Sequence, residues 1–387
     1  MTTALIALAL LQSKPGISPV RVQNNHGFVT VKIGNSRPLT MLLDTGAAST
    51  VVSDHTAKEL GLPEKQRFQL TTAADGRPVY GVTTVMNGLE FAGVKFDRVP
   101  AMSFDLPNLE RASCLRFDGV LGMDFLAPYV LVLDYAKGKA EITPTEAFSY
   151  NGSGYRMPFR YDRGYIEFRA KVAMVGGVAV DTTFALDSGA GIATGIILST
   201  PFAAENGFPG AAAPRVKEPF VKQAVWGDTV MTMAGLGSLS IGPFSFAKPA
   251  AFISADKVAF FAQPGRAGLV GTAYIRKFRL YIDFPRKELI FEPNGDVRKP
   301  VDVVYTGLTI RGSEKDYSIP EVESVQSASP AAFSGFRAGD RLLDLDGAKA
   351  VGPSVLMTLS TPGKPVRVKV LRGNKEVTLT LTRNPPW

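Results

Sequence analysis

The sequence is poor in the residues that usually carry metal or redox chemistry. Among 387 residues there are one cysteine, two histidines and two tryptophans. A single cysteine, Cys114, excludes a disulfide within the chain, and beside an apolar segment it reads as a small core residue. His26 and His55 belong to no His-Glu-x-x-His pattern, which argues against a histidine-ligated zinc hydrolase. Runs of like charge are missing too. The net charge is +8, yet Lys and Arg are scattered, with no aromatic platform among them, so no nucleic-acid partner is expected. The apolar stretch Ala4–Leu11 is far too short to span a bilayer, so no transmembrane helix is expected. Residues 1–19 read as the apolar core of a secretory signal without its basic start, and favour an exported protein, periplasmic or secreted, over a cytoplasmic one.

Long helical patterns are scarce, whereas Gly 38 and Pro 27 supply many turns, and 45% of the residues are hydrophobic. This composition favours a mainly β chain of two or three domains with sizeable cores.

One segment recurs. Met41-Leu42-Leu43-Asp44-Thr45-Gly46-Ala47 returns as Ala185-Leu186-Asp187-Ser188-Gly189-Ala190, and each copy follows an alternating strand (Gly27–Ile33 and Gly164–Ala170). After each Asp a short helix is expected. Ser53 caps the first and Gly61 ends it; Ser199 or Thr200 caps the second, with Pro201 at its start and Gly207 at its end. Each half closes on an apolar-apolar-Gly segment, Val120-Leu121-Gly122 and Val270-Gly271 with Leu269 before it. The spacing drifts steadily, from 143 (187 − 44) for the Asp pair to 146 (207 − 61) and 149 (271 − 122) for the glycines. Small loop insertions in a duplicated unit produce such a drift. Asn151-Gly152-Ser153 marks the joint, giving units of 20–150 and 151–298. A third region, 299–387, contains Ser329-Pro330-Ala331-Ala332, then Arg337-Ala338-Gly339-Asp340, and a hairpin of Val366–Leu371 with Val377–Leu381.

Two Asp-Thr/Ser-Gly motifs, each with its apolar-apolar-Gly partner, resemble the retropepsin-like aspartic proteases, here with two lobes fused in one chain. The third region resembles a PDZ domain. The resemblance implies a bilobal, mainly β fold and peptide-bond hydrolysis by a water held between Asp44 and Asp187, with no cofactor and no metal. Two carboxylates at close range cannot both ionise easily, so they share a proton, and either can be the base. Thr45 and Ser188 are implied to cross-link the loops, Gly46 and Gly189 to turn N–H groups toward the carboxylates, and Gly122 and Gly271 to allow close packing across them. Ala47 and Ala190 stand where pepsin-like enzymes often carry a hydroxyl, so the dyad should titrate higher and work in less acidic solution.

A flap is expected between Asp44 and Gly122. Asp75-Gly76 is its turn, with Tyr80 either contacting substrate or packing, and Trp226 holds a similar place in the second half. In the third region Gly307, Leu308, Thr309 and Ile310 are candidates for a carboxylate-binding loop and peptide-adding edge. The expected partners are a peptide or protein substrate and a peptide ligand of the PDZ-like region. One chain suffices to build the site. A non-catalytic peptide-binding protein that kept the fold is the alternative.

Overall fold

The computed structural model describes residues 15–72, 78–191, 194–208, 220–224, 227–256 and 260–386. It is mainly β, and its first two units repeat one topology. In lobe 1 the strands run in the order 21–23, 26–33, 39–43, 119–121, 51–52, 94–103, 78–91, 67–72. In lobe 2 the order is 160–162, 165–174, 180–187, 268–271, 196–198, 250–254, 227–241, 220–224. The sequences match position for position, including the extra pairing that folds each sheet back on itself (strands 26–33 with 78–91, and 165–174 with 227–241).

The helices follow the expected punctuation with two changes. Helix α1 (Asp54–Glu59) begins after Ser53, whose hydroxyl donates to Thr56 rather than capping a backbone group, and Gly61 follows at positive φ. Helix α2 (Pro107–Ala112) and α3 (Met123–Leu126) complete lobe 1. In lobe 2, α4 (Thr200–Glu205) is capped by the Ser199 hydroxyl, which accepts from the Phe202 N–H, so Pro201 lies one residue inside the helix start. Helix α5 (Thr272–Ile275) takes the place of α3.

A six-stranded antiparallel sheet joins the lobes. Each half contributes a hairpin, Tyr129–Asp134 with Lys139–Pro144 and Phe278–Asp283 with Glu288–Pro293, and the two meet in the register Val132↔Tyr281. Every residue of Tyr129–Asp134 is buried. One continuous apolar core therefore runs from Val29 and Leu43 in lobe 1 through Leu131 and Leu280 to Phe184 in lobe 2. Gly16–Pro19 adds an edge strand to this sheet through Gly16↔Ile142.

The C-terminal region folds as a small separate sheet with its own core of Val322, Leu342, Val366, Val368, Val370 and Leu381. Its closing hairpin pairs Val366↔Leu381, Val368↔Leu379 and Val370↔Val377, so the alternation read in the sequence is the buried face. Helix α6 (Pro330–Phe333) is capped by Ser329, and α7 (Pro353–Ser360) covers the sheet. The Arg337-Ala-Gly-Asp turn has a clear physical purpose. Asp340, fully buried, takes a two-toothed ion pair from Arg372 and accepts the Arg337 N–H. Among the described residues no helix is long and apolar enough to cross a membrane.

Helix α2 carries Glu110 into the interior, where its carboxylate accepts the Phe117 N–H. Burial pushes its pKa up to about 7 against an ordinary 4.5. A carboxyl raised in the folded state stabilises fully below the unfolded pKa and loses that stability as pH rises through the folded one. Glu110→Gln keeps the acceptor and removes the titration. Unfolding of the wild type in denaturant should weaken between pH 5 and pH 8 by about 2 kcal/mol more than that of Glu110→Gln. Equal pH slopes in the two proteins would rule this out.

Candidate active site

The Leu39–Leu43 and Val180–Asp187 strands bring Asp44 and Asp187 to the seam between the lobes. Each strand pairs in parallel with the closing segment of its own lobe, Leu43↔Leu121 and Asp187↔Gly271, so the Asp-bearing loop is crossed by the segment that ends in glycine. The fit there is backbone against backbone. A Cβ on Gly122 would come within 2.6 Å of the Ser49 carbonyl carbon and 2.9 Å of the Ala47 oxygen, and one on Gly271 would collide with the Ala190 oxygen. The same carbonyls accept the next N–H of the crossing segment, Met123 to Ala47 at 2.8 Å and Thr272 to Ala190 at 3.2 Å.

The two loops are tied to each other beneath the carboxyls. The Thr45 N–H donates to the Ser188 hydroxyl (2.9 Å), which donates onward to the Leu43 carbonyl (2.9 Å). In reciprocal fashion the Ser188 N–H donates to the Thr45 hydroxyl (3.0 Å), which donates to the Leu186 carbonyl (3.1 Å). Both hydroxyls are fully buried, and each uses its donor and an acceptor site. Thr272, unremarked in the sequence, donates its hydroxyl to the Ser188 carbonyl at 2.8 Å.

Above this cross-link the carboxyls face each other across the glycines. Asp44 accepts the Gly46 N–H (2.7 Å) and Asp187 the Ala190 N–H (2.9 Å). A Cβ on Gly46 would lie 2.6 Å from the Asp187 carboxyl carbon, and one on Gly189 would strike the Asp44 carboxyl. Glycine is required here because each loop's backbone lies against the other loop's carboxyl group. Both carboxyls are enclosed by protein yet keep some solvent access. Burial, first, raises both pKa values. For Asp187 the charge of Asp44 adds to that rise; for Asp44 the Gly46 N–H and a hydrogen bond from Asp187 oppose it. The two carboxyls therefore titrate as a unit, holding one proton between them where two separate surface carboxyls would hold none.

The remaining sequence candidates fall elsewhere. Asp75, Gly76 and Trp226 lie outside the described residues. Tyr80 is exposed on the Pro78–Phe91 strand, with the Arg67 guanidinium 4.7 Å from its ring centre. It lines a cavity of about 490 Å³ shared with Lys58 and Leu62 beside α1, whose walls include neither catalytic candidate. On the neighbouring residue, a Cβ at Gly81 would meet Leu70, which packs with Ala47 and Phe117 near the Asp44 loop. Gly307, at positive φ against Ser329, leads into the edge strand Leu308–Gly312. Cys114 is buried, and burial pushes its thiol up to about 12, far from a nucleophilic thiolate. Among the described residues no three His, Cys, Asp or Glu side chains gather as metal ligands.

Support that sequence reasoning missed lies around Asp124 and Asp118. Asp124 accepts both the N–H and the hydroxyl of Thr50 at 2.8 Å, and that hydroxyl accepts the Gly122 N–H. Asp118 accepts Arg37, the Thr40 N–H and the Thr56 hydroxyl. Their only sequence signal was a carboxylate on either side of the closing Gly-Val-Leu-Gly.

Thr45→Val leaves the Ser188 N–H and the Leu186 carbonyl buried without partners. It should lower unfolding stability by about 3 kcal/mol, while Thr45→Ser should cost about 1 kcal/mol or less. Denaturant titration of the two variants measures the difference, and equal costs would show that the hydroxyl bonds are not what matters.

Comparison with known families agrees with this geometry. Residues 29–125, which run from the first lobe's alternating strand through Asp44 and Gly122, match the family model described as aspartyl protease. Residues 305–382 match the PDZ domain model. No curated protein matches the chain. The chain therefore carries an aspartyl protease domain, whose topology its second lobe repeats, and a C-terminal PDZ domain.

Proposed function

We propose that this protease is an aspartic endopeptidase whose catalytic pair is Asp44 and Asp187. The observation that carries the reading is the facing of two largely enclosed carboxyls on cross-linked loops, close enough to share one proton. With the charge on Asp44 and the proton on Asp187 (the roles exchange in the mirror state), Asp44 acts as base on a water held between them, taking a proton as the water oxygen bonds to the peptide carbonyl carbon. Asp187 gives its proton to the carbonyl oxygen, which completes a neutral tetrahedral diol. When the diol collapses the C–N bond breaks. Asp44 passes its proton to the leaving nitrogen, and Asp187 regains one from a diol hydroxyl. Both carboxyls return to their starting state, so no covalent intermediate accumulates. The PDZ domain supplies a docking place for a peptide segment of substrate or partner.

Asp44→Asn and Asp187→Asn should each lower cleavage of a mixed peptide library by at least about 1000-fold, and a pepstatin-type inhibitor should block the wild type. Cleavage that survives both variants would remove the dyad from the mechanism. Absence of cleavage by the unmutated chain at every pH would favour a peptide-binding role instead.

The rate depends on a singly protonated pair, so it falls when the pair gains a second proton and when it loses the one it shares. Burial raises both carboxyls, and Ala47 brings no hydroxyl to steady the charge on Asp44. The pH–rate profile should therefore peak at less acidic pH than pepsin's, and Ala47→Ser should move its acidic limb down by about one unit. A wild-type peak in strong acid would contradict the assignment.

A further inference from the structure

The edge of the PDZ sheet is not open along its whole length, because lobe 1 sits at one end of it. The strand Leu308–Gly312 is the edge strand and pairs only with Pro320–Val325. Opposite Ile310, Val322 turns both its backbone groups to the other side, its N–H to the Asp340 carbonyl and its own carbonyl to the Gly339 N–H, each at 2.8 Å. Ile310 therefore points its N–H and C=O outward, and by the two-residue period so does Gly312. The outward carbonyl of Gly312 is already taken. Arg111 of α2 donates its Nε to it at 3.0 Å and places Nη1 3.2 Å from Glu314. The Arg111 side chain is 13% exposed, so this contact is largely shielded from water. Arg116 stacks on Tyr317 at 4.7 Å, and Gly352, at the start of α7, faces the Cys114 carbonyl.

Helix α2 has a second neighbour. It packs against the Phe220–Ala224 strand, one arm of the lobe 2 hairpin that continues as Gly227–Ile241. One six-residue helix thus touches the peptide-adding edge on one side and the lobe 2 hairpin on the other.

We infer that Arg111 is a stop on the PDZ edge. A ligand strand pairs along Leu308 to Arg311, and a longer one must displace Arg111 from Gly312 and loosen α2, and with it the support of the lobe 2 hairpin. The partner that fits is an extended peptide of more than about four residues, lying beside the edge as an added strand. By linkage, whatever moves α2 from the hairpin side changes affinity for that peptide by the same factor. The inference rests on the reading of the PDZ domain as a peptide-binding module and not on the dyad.

The test uses the full chain with Asp187→Asn, so that nothing is cut, and two fluorescent peptides of four and ten residues that share one apolar C-terminal sequence. Binding is read by anisotropy. With Arg111 present the two lengths should bind within about threefold of each other; with Arg111→Ala the ten-residue peptide should bind about tenfold tighter and the four-residue one unchanged. Arg116→Ala, which loosens the same interface away from the edge, should leave both unchanged. Hydrogen exchange supplies the second readout: the ten-residue peptide, and not the four-residue one, should speed exchange in Pro107–Ala112 when Arg111 is present. The inference is overturned by a tenfold length advantage in the chain that keeps Arg111, by equal gains for both lengths in Arg111→Ala, by unchanged exchange in α2, or by no binding of either peptide to either chain. Cleavage of an unrelated reporter by the chain with Asp187 intact is scored separately: if it persists in that last case, the dyad stands and the stop falls.

Discussion

Two desolvated carboxyls at close range repel when both are charged, and nothing in their own side chains holds them together. The pair exists because the backbones beneath are fastened first. Thr45 and Ser188 each bond across the seam to an N–H and a carbonyl of the opposite loop. In a fully buried place such bonds have no water to compete with them, and losing one strands its partners. The cross-link fixes the Cα positions of Asp44 and Asp187, and the glycines on either side leave the carboxyls no option but to face each other. Once they face, sharing a proton relieves the repulsion between two charges. The shared six-stranded sheet acts at longer range toward the same end. Its buried register of Val132 on Tyr281 stops the lobes sliding, so the short loops need to hold only against local repulsion.

Much of this was legible because it is written as repetition. Asp44 and Asp187, their hydroxyl neighbours and the closing glycines sit at steadily drifting offsets, and the structure gives the two lobes the same strand order. The close packing at Gly122 and Gly271 was implied by the family resemblance, and the structure supplies its cause, the carbonyls of the Asp-bearing loops lying where a Cβ would sit. The Val366–Val368–Val370 alternation was likewise sufficient to place the C-terminal hairpin. Contacts between distant, unrelated segments were not legible. Arg111 meets Gly312 across 201 residues, and neither carries a local pattern that names the other. Tyr80 shows another limit: a sequence places it on a hairpin strand but not on one face or the other, and a twisted strand decides that by its register with Arg67–Thr72.

Fusion of two lobes into one chain removes the requirement that both halves be identical, and the lobe interiors have used that freedom. Ahead of the closing glycine in lobe 1 stand Phe117 and Asp118; the matching residues in lobe 2 are Arg266 and Ala267. Phe117 meets Phe28 ring to ring at 5.5 Å. Arg266 instead lies over Tyr165 at 5.1 Å and Phe260 at 4.7 Å, paired with the buried Glu167 at 3.0 Å. Its Nε and Nη1 have no hydrogen-bond acceptor, and the ring faces occupy the directions that acceptors would take. Lobe 1 places its own buried charge one residue along, at Asp118 against Arg37. Each lobe thus closes over an ion pair of its own, but the charged residue of the closing strand is a cation in one and an anion in the other.

That inversion reaches the dyad through Tyr165, which lies within electrostatic range of Asp187, Asp44 and Arg266 together. By register the place of Tyr165 is held in lobe 1 by His26, and the place of Glu167, opposite the residue two before the Asp on the neighbouring strand, by Phe28. The ring pair Phe28–Phe117 of lobe 1 thus stands where lobe 2 has the ion pair Glu167–Arg266, so equivalent positions differ in charge. In a dimer of identical halves the assignment of proton and charge would have to be made afresh by each substrate. In this chain the two lobes already differ before substrate arrives, with Phe28 and Phe117 in one at the places of Glu167 and Arg266 in the other.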